Sequence, residues 1–268
     1  SNHSSNGRGL MQDQFADISL RFGGIRRLYG NTALERFQHA HVCVVGIGGV
    51  GSWAAEALAR SAIGTITLID LDMVAESNVN RQIHALGETF GKAKTTAMAE
   101  RIRLINPQCE VLEIEDFVTP ENIETVLGRG FDFIIDAIDQ VRVKTAMIAW
   151  CHRQGIPIVT AGGAGGQQDP TRIEIADLSR TIQDPLLSKV RAQLRKHHGF
   201  PRDPRKKFGI PAVFSSEPLR YPENGAVCDE APSLVGLNCA GYWSSVCVTA
   251  PFGFIAAAEA LRYLAGTV

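Results

Sequence analysis

The sequence predicts an α/β protein with a Rossmann-like, doubly wound and mostly parallel sheet. A short β-branched run, residues 41–45, breaks into the glycine-rich turn GIGGVG at residues 46–51, and a helical pattern starts at Ser52. Beyond this turn, apolar runs of strand length alternate with helical patterns as far as about residue 160. Such alternation is typical of a parallel sheet that carries helices on both faces.

The individual elements follow from local patterns in the order of the chain. Each predicted strand is a short apolar run of high β-propensity, and each predicted helix has an apolar period near 3.6 residues. The predicted strands of this part are residues 41–45, 65–69, 109–115, 131–136 and 156–160. The predicted helices are residues 28–37, a segment from Ser52, residues 91–106, a segment opened by Thr119-Pro120-Glu121, and residues 141–154.

After Gly162 the glycine-rich stretch GGAGGQ interrupts the alternation. Further strands are predicted at residues 172–176 and 212–216, and further helices at residues 184–198 and 249–264. We therefore predict three parts: a flexible N-terminal lead-in, residues 1–20; a nucleotide-binding domain, residues 21–180; and a C-terminal extension, residues 181–268, packed on the same core.

The composition favours a soluble globular protein. The 268 residues include 27 basic and 28 acidic side chains, so the net charge of −1 creates no overall attraction to nucleic acid or membrane. The six cysteines form no CxxC pair, so zinc held by paired CxxC motifs is not expected. Reduced thiols in a cytoplasmic protein are the simpler interpretation, and the polar N-terminus lacks the apolar run of a signal peptide.

The most apolar stretch lies near the C-terminus, at residues 246–264, and contains Pro251 and Glu259. A membrane-spanning helix needs about 20 consecutive apolar residues with few or no charges. We therefore predict a buried C-terminal helix rather than an integral membrane span. Loose association with a membrane through this stretch is left open.

The glycine-rich turn has the pattern GxGxxG between a strand and a helix, which aims backbone N–H groups and a positive helix end at a phosphate. Gly46 allows the tight turn, Gly48 lets the backbone approach the phosphates, and Gly51 lets the helix pack on the strand. Asp70 ends the second strand, about where a dinucleotide-binding fold places a carboxylate for ribose hydroxyls. The pattern predicts a bound nucleotide without identifying it.

Polar residues beyond Asp70 favour ATP over a nicotinamide cofactor. A dehydrogenase needs this acid but has no evident use for Asn78, Arg81 and Lys94. In an ATP site, Asn78 could hydrogen-bond ribose or phosphate, while Arg81 and Lys94 could pair with phosphates. A solvated loop with ordinary charges is the alternative interpretation.

Asp139 follows the predicted strand at residues 131–136 and should lie at the carboxyl edge of the sheet. There, one carboxylate can hold Mg²⁺ against nucleotide phosphates. The alternative is an N-cap for the helix at residues 141–154, which is a common use of aspartate.

Five motifs occur in the order and spacing of a known family: GIGGVG, LIDLD, SNVNRQ, GKAK and DAIDQV. On these motifs, over roughly residues 20–180, the chain resembles the ThiF/MoeB/HesA adenylating family, which is related to the ubiquitin-activating enzymes. The resemblance implies an ATP-binding domain that adenylates a carboxylate with MgATP and releases pyrophosphate. By this resemblance Gly46, Gly48 and Gly51 would face the nucleotide, Asp70 the ribose, Asn78, Arg81 and Lys94 the phosphates, and Asp139 the Mg²⁺ ion.

The stretches RFGGIRRLYG, TAGGAGGQQDPT and TIQDPL are similar to a branch of this family that acts on tRNA, and the similarity runs nearly end to end. It implies ATP-dependent dehydration that cyclises the threonylcarbamoyl side chain of the adenosine next to the anticodon. It also implies a homodimer, and proteins of a sulfur-transfer (cysteine desulfurase) system are further candidate partners. The alternative is an adenylyltransferase that acts on the Gly-Gly tail of a sulfur-carrier protein.

Two further catalytic assignments stay open at this point. In MoeB-like proteins an N-terminal arginine reaches across the dimer to the phosphates, but the aligned position here is Gly24, so Arg21, Arg26 and Arg27 are the candidates. Cys239 matches a cysteine of the tRNA-acting branch and could form a thioester. An acyl-adenylate can cyclise without one, and a buried cysteine is common. The candidate catalytic residues are Arg81, Lys94, Asp139 and Cys239.

Residues 189–207 hold eight basic side chains against the single acid Asp203. Contacts from lysine and arginine to phosphates give nucleic-acid affinity that falls with salt. A solvated helix face and loop is the alternative, but the resemblance to tRNA-acting proteins favours an RNA partner. The predicted tRNA-binding residues are Arg195, Lys196, Arg205, Lys206 and Lys207.

Overall fold

The computed structural model describes residues 17–222 and 243–266, and a seven-stranded sheet lies at the centre of this described part. The strands are β1 His41–Val45, β2 Thr65–Ile69, β3 Glu110–Ile114, β4 Phe133–Asp136, β5 Ile158–Ala161, β6 Ile173–Asp177 and β7 Pro211–Ser215. Their order is β3-β2-β1-β4-β5-β7-β6, and only the β6–β7 pair among them is antiparallel. The predicted doubly wound, mostly parallel sheet is confirmed.

Helices cover both faces of the sheet. Their bounds are α1 Ile18–Tyr29, α2 Asn31–His39, α3 Gly51–Ala59, α4 Lys94–Ile105, α5 Ile123–Leu127, α6 Val141–Gln154, α7 Pro185–His197 and α8 Val246–Ala265. One apolar cluster joins one face of the sheet to α2, α3, α4 and α8. A second cluster joins the opposite face to α5, α6 and α7. The alternation of β1 produces this division, because Val42 and Val44 face the first cluster while Cys43 and Val45 face the second.

Several predicted helices begin or end at other residues. The helix predicted to open with Thr119-Pro120-Glu121 begins only at Ile123, with Asn122 as its N-cap. The single helix predicted at residues 28–37 is in fact the end of α1 and most of α2, which meet at Gly30, where φ is +96° and no helix can continue. The helix predicted from residue 91 begins only at Lys94, because Ala93 pairs with Met73 as an isolated antiparallel bridge.

The predicted C-terminal extension supplies α7, β7 and α8, and β7 lies inside the same sheet, between β5 and β6. The proposed boundary at residue 180 stays a prediction. In the described ranges, α8 is the one helix long and apolar enough to cross a membrane by length and composition alone. Its residues Val248, Phe252 and Ala256 are fully buried in the first apolar cluster, as the predicted core helix requires.

Helix α8 packs closely on α3, next to the glycine-rich turn. A Cβ at Gly253 would collide with the carbonyl oxygen of Val50 and lie 2.9 Å from the backbone nitrogen of Ala54. The rings of Phe254 on α8 and Trp53 on α3 meet edge to face, with centroids 6.0 Å apart. The packing of α8 on α3 therefore fixes the orientation of the N-terminus of α3 beside the glycine-rich turn.

Candidate active site

A cleft of about 370 Å³ opens at the carboxyl ends of the parallel strands. It lies where the strand order reverses between β1 and β4, the position at which open α/β sheets bind ligands. The connections that follow β1 to β5 all contribute residues to its walls. Six of the predicted site residues line it: Gly46, Gly48, Asp70, Arg81, Lys94 and Asp139.

The glycine-rich turn follows the strand tightly. Gly46 has φ of +90°, and a Cβ there would lie 2.9 Å from the carbonyl oxygen of Ala137, so a larger residue would not fit. A Cβ at Gly51 would collide with the carbonyl oxygen of Gly46. Gly51 therefore allows α3 to pack on the turn, and it does not line the cleft. No described side chain caps the start of α3, which leaves its N-terminal N–H groups available to an anion.

The side chains of Asp70 and His84 fix the glycine-rich turn through hydrogen bonds to the backbone of Ile47. The backbone nitrogen of Ile47 donates to Oδ2 of Asp70 at 2.7 Å, and the Nε2 atom of the buried His84 donates to the Ile47 carbonyl oxygen at 2.7 Å. Oδ1 of Asp70 also accepts from the backbone of Asp72 at 2.8 Å. Each carboxylate oxygen has a second lone pair, so Asp70 can fix the turn and still accept from a ribose.

The buried His84 imidazole should make the turn sensitive to acid. Burial lowers the pKa of His84 below its ordinary value near 6.5, and the ammonium of Lys94 lowers it further, although the hydrogen bond to Ile47 opposes this. As the pH falls below about 6.5, the unfolded chain takes up a proton that the folded protein does not, so the free energy of unfolding falls. The thermal midpoint of the wild type should therefore fall more steeply between about pH 7 and 5 than that of His84→Gln. Parallel curves for the two proteins would contradict this role.

Arg81 lies across the glycine-rich turn. A Cβ at Gly49 would be 3.2 Å from Cγ of Arg81, so the aliphatic part of the arginine covers this glycine. The backbone carbonyl of Arg81 accepts from Nε1 of Trp53 at 2.8 Å and from Oγ1 of Thr249 at 3.4 Å. Its guanidinium donates to the Ser77 carbonyl at 3.0 Å. Arg81 is thus held at the cleft by α3 and α8 together.

Lys94 is the first residue of α4 and is buried, with 7% of its surface exposed. Among the described residues, its ammonium has one carboxylate within reach, Oδ2 of Asp72 at 4.0 Å, and Asp72 itself is largely exposed. Burial of an ammonium lowers the stability of the fold by its desolvation free energy, and one distant carboxylate offsets little of this loss unless a further anion pairs with the ammonium. The geometry therefore suits a lysine that binds a phosphate.

Asp139 is exposed on the wall of the cleft, in the connection between β4 and α6. A buried ion pair lies beneath it: Nζ of Lys144 is 2.9 Å from Oδ2 of Asp136, and both side chains are fully buried. The Lys144 ammonium also donates to the Ile138 carbonyl at 2.7 Å, and Thr160 donates to Asp136 at 2.7 Å. The pair fixes the peptide that precedes Asp139. The helix N-cap is Gln140, so Asp139 does not have the capping role considered as an alternative.

Asp184 fixes a second wall of the cleft. One of its oxygens accepts from the Gly163 backbone at 2.9 Å, and the other caps α7 by accepting from Leu187 at 2.8 Å. Burial raises the pKa of Asp184 above its ordinary value, although these hydrogen bonds and the charge of Lys144 oppose the shift. The carboxylate occupies space that a Cβ at Gly162 would need. The glycine-rich stretch after β5 is therefore shaped around Asp184.

Other sequence-predicted site residues do not line the cleft or lie outside the described part. Asn78 is buried in the loop, where Oδ1 accepts from the Ala75 backbone at 2.9 Å. Arg21 donates to the carbonyls of Leu104 and Ile105 at the end of α4, at 3.1 and 2.9 Å. Cys239 lies outside the described residues, so its proposed thioester stays a hypothesis.

The structure also adds cleft residues that the motif analysis missed. An apolar wall is formed by Phe117 and Val118 after β3 and by Val143 of α6. The glycines at 162, 163 and 165 after β5 form another part of the lining. Their place in the sequence could have indicated them. Each group follows a predicted parallel strand, and the ends of parallel strands lie at the same edge of the sheet.

The basic residues predicted to bind tRNA lie at the other edge of the sheet. Helix α7 starts at the cleft with Pro185 and Leu186 and runs back along the sheet, so its basic C-terminal turn is remote from the cleft. Arg195 donates to the Pro201 carbonyl at 3.0 Å, and its guanidinium lies 5.1 Å from the ring centroid of Phe208. Arg205 pairs with Asp203 at 3.1 Å. Lys196, Lys206 and Lys207 are exposed.

The fold, the glycine-rich turn and the cations of the cleft define a nucleotide-binding α/β protein of the adenylating type. The model of the ThiF family matches residues 24–267, and the chain belongs to this family. The family membership predicted from the five motifs is confirmed.

Particular members of the family resemble the chain over nearly its whole length. It is 53% identical to the tRNA threonylcarbamoyladenosine dehydratase of Haemophilus influenzae, over 91% of this chain and 93% of that protein. It is 54% identical to the Escherichia coli enzyme of the same name, over 90% and 92% of the two chains. The crystal structure of the E. coli enzyme in complex with ATP matches with a TM-score of 0.84 and 50% identity, over 94% of this chain and 97% of that one.

Proposed function

We propose that the protein is an ATP-dependent dehydratase that cyclises threonylcarbamoyladenosine next to the anticodon of tRNA. The observation that carries the proposal is the convergence of the glycine-rich turn, Arg81, Lys94 and Asp139 on one cleft. The high identity to relatives named for this reaction supports the choice of substrate. The arrangement supplies what adenylation needs, namely cations for phosphates, an acid for a metal and a pocket for the base.

The cleft offers a distinct place for each part of ATP. The phosphates lie against the turn and the uncapped start of α3, with Arg81 and Lys94 as the neutralising cations. Asp70 accepts from the ribose hydroxyls. The adenine packs on the apolar wall of Phe117, Val118 and Val143.

Asp139 would hold Mg²⁺ against the phosphates. Within residues 17–222 and 243–266, no three His, Cys, Asp or Glu side chains converge as a metal cage. Mg²⁺ at nucleotide sites is commonly bound by one or two carboxylates together with substrate phosphates, and the exposed Asp139 suits that arrangement. The ion would neutralise charge that develops on the phosphates during the reaction.

The chemistry requires mainly positioning and charge neutralisation. A carboxylate oxygen of the substrate attacks the α-phosphorus of ATP, and pyrophosphate leaves. The carbamoyl group then attacks the activated carboxyl carbon, AMP leaves and a proton is released, so the nucleoside has lost one water overall. Arg81 and Lys94 stabilise the phosphate charge, while the walls around Gly163 and Phe117 exclude water from the acyl-adenylate.

The assembly of the protein is part of the same proposal. A homodimer would allow an arginine of α1 to reach the phosphates of the other copy. All three arginines are exposed, but the guanidinium of Arg21 donates to two carbonyls at the end of α4, so Arg26 and Arg27 are the better candidates. Sulfur-transfer proteins as partners, a cytoplasmic location and loose membrane association through α8 stay predictions without further support.

The direct test is AMP formation from MgATP with and without tRNA that carries threonylcarbamoyladenosine, followed by mass analysis of the nucleoside. We expect AMP only with the modified tRNA, together with the loss of one water from the nucleoside. Unmodified tRNA of the same sequence is the matched control. AMP that depends instead on a Gly-Gly-tailed carrier protein would replace the proposal by the sulfur-carrier alternative.

A further inference from the structure

Helix α7 connects the cleft to the basic end of the protein. Its first residues, Pro185 and Leu186, line the cleft, and its last turn contains Arg195, Lys196 and His197. The helix has 13 residues, which at about 1.5 Å per residue gives a length of about 20 Å. The two ends of α7 therefore mark two separate places on one surface.

The charge of this segment differs sharply from that of the rest of the chain. Residues 185–207 carry eight of the 27 basic residues and one of the 28 acidic residues. The remainder then has nineteen basic and twenty-seven acidic residues, a net charge of −8. An anionic macromolecule is therefore attracted to this segment, whereas the rest of the chain carries a net negative charge.

The structure separates the basic residues of the segment into two groups. Arg191 donates to the Leu178 carbonyl at 3.2 Å and to Thr181 at 2.8 Å, and Arg195 is engaged with Pro201 and Phe208, so both hold the fold. The second group is exposed, and no ion pair with a described acid is found for any of its members. These are Lys189 and Lys196 on α7, and Arg202, Lys206 and Lys207 in the following loop. The exposed Arg205 belongs to neither group, because it pairs with Asp203 at 3.1 Å.

The loop that carries the last two lysines is firmly anchored. Asp177 accepts from the backbone nitrogens of Phe208, Gly209 and Ile210 at 2.9, 2.8 and 3.2 Å. Burial alone would raise the pKa of Asp177, but the hydrogen bonds from Ser179, Phe208 and Gly209 outweigh it and hold the pKa below its ordinary value. Lys206 and Lys207 are thus presented next to an ordered turn.

We propose that the exposed face of α7 and the loop at Lys206 and Lys207 form a second RNA contact, separate from the cleft, that binds the backbone of a paired stem. This inference rests on the proposed function and deepens it, because it makes a stem-loop rather than an isolated nucleoside or short single strand the preferred substrate. Lys189 and Lys196 lie seven positions apart, on the same exposed face of α7, and lead from the cleft towards the loop.

The distance between the two ends of α7 fits an RNA stem-loop in which the modified base of the loop occupies the cleft and the stem lies along the helix. Measured along the axis of a duplex, the phosphates of one strand follow one another at about 3.4 Å, by the value for DNA. The length of α7, about 20 Å, then corresponds to roughly six nucleotides. A short oligonucleotide of the loop alone would fill the cleft without reaching Lys206 and Lys207.

The test compares two RNA ligands on one variant. The ligands are an anticodon stem-loop with threonylcarbamoyladenosine and a short single strand of the same loop sequence. We expect Lys206→Glu/Lys207→Glu to bind the stem-loop about tenfold or more weakly, to lower the salt slope by about 2, and to leave the affinity for the short strand unchanged. The control Lys92→Glu/Arg103→Glu has the same charge change on the opposite face of the sheet, with Lys92 just before α4 and Arg103 in its last turn.

The outcomes separate this inference from the function on which it rests. Equal affinity and salt slope of wild type and variant for the stem-loop would overturn the second contact, as would equal weakening for both RNAs. AMP formation by the wild type with the modified stem-loop is measured in parallel. Its absence with every modified RNA would overturn the proposed function itself, whatever the binding curves show.

Discussion

A Lys94→Met variant is expected to form AMP about 100- to 1,000-fold more slowly than the wild type, the range found when one preorganised electrostatic group is removed from an active site. The Lys94 ammonium is buried at the cleft and has only the carboxylate of Asp72, at 4.0 Å, as a described partner. Its charge is therefore available to the phosphates of ATP. The measurement is the initial rate of AMP release at saturating MgATP and modified tRNA.

The variant should remain folded, because methionine fills similar space and removes a buried charge. Lys92→Met is the matched control, since Lys92 is two residues away, exposed, and paired with Glu100 at 2.9 Å. We expect the control to keep nearly the wild-type rate. Similar rates for Lys94→Met and Lys92→Met would show that Lys94 has no part in phosphate binding.

The second large effect is expected on stability. A Lys144→Met variant should lose about 3–5 kcal/mol of the free energy of unfolding, because removal of one partner leaves an unpaired buried charge. Here the stranded group would be the Asp136 carboxylate, which is fully buried and would keep only the hydrogen bonds from Thr160 and the Ile138 backbone. Denaturant unfolding followed by circular dichroism measures the loss.

The double variant Asp136→Asn/Lys144→Met distinguishes the stranded charge from lost packing. It removes both charges and should recover most of the stability, since a buried ion pair contributes little beyond its own desolvation cost. It should not recover activity fully, because the Ile138 carbonyl would still lack the Lys144 donor that fixes the connection to Asp139. Equal instability of the single and double variants would assign the effect to packing instead.

Much of the fold was predictable because local patterns and long-range pairing agree. The turn at Gly46 ends β1 where the sequence changes from apolar to glycine-rich, and helix α6 has the predicted bounds, Val141–Gln154. Placing the residues after each strand in one cleft required only the rule that parallel strands end at the same edge. This rule correctly brings Asp70, Arg81, Lys94 and Asp139 together.

The roles of several individual side chains could not be predicted, because they depend on tertiary contacts that no local sequence pattern encodes. Lys144 occupies an ordinary helical position, and only the fold places its ammonium against Asp136, which lies on another element. His84 lies in a polar loop, yet tertiary packing buries it against Ile47. Arg195 and Lys196 are neighbours of like charge, but one is used for packing on Phe208 and the other is exposed.

The contact of α8 with α3 has a consequence for biosynthesis. The sheet face at Val42, the buried side of α3 at Leu58 and the last described helix share one apolar cluster. During synthesis from the N-terminus, this early surface lacks its α8 partner until Val246 and the residues after it have emerged, 188 residues beyond Leu58. Such long sequence separation slows folding and exposes apolar surface to other chains in the meantime. We expect the nascent protein to depend on chaperones until α8 leaves the ribosome.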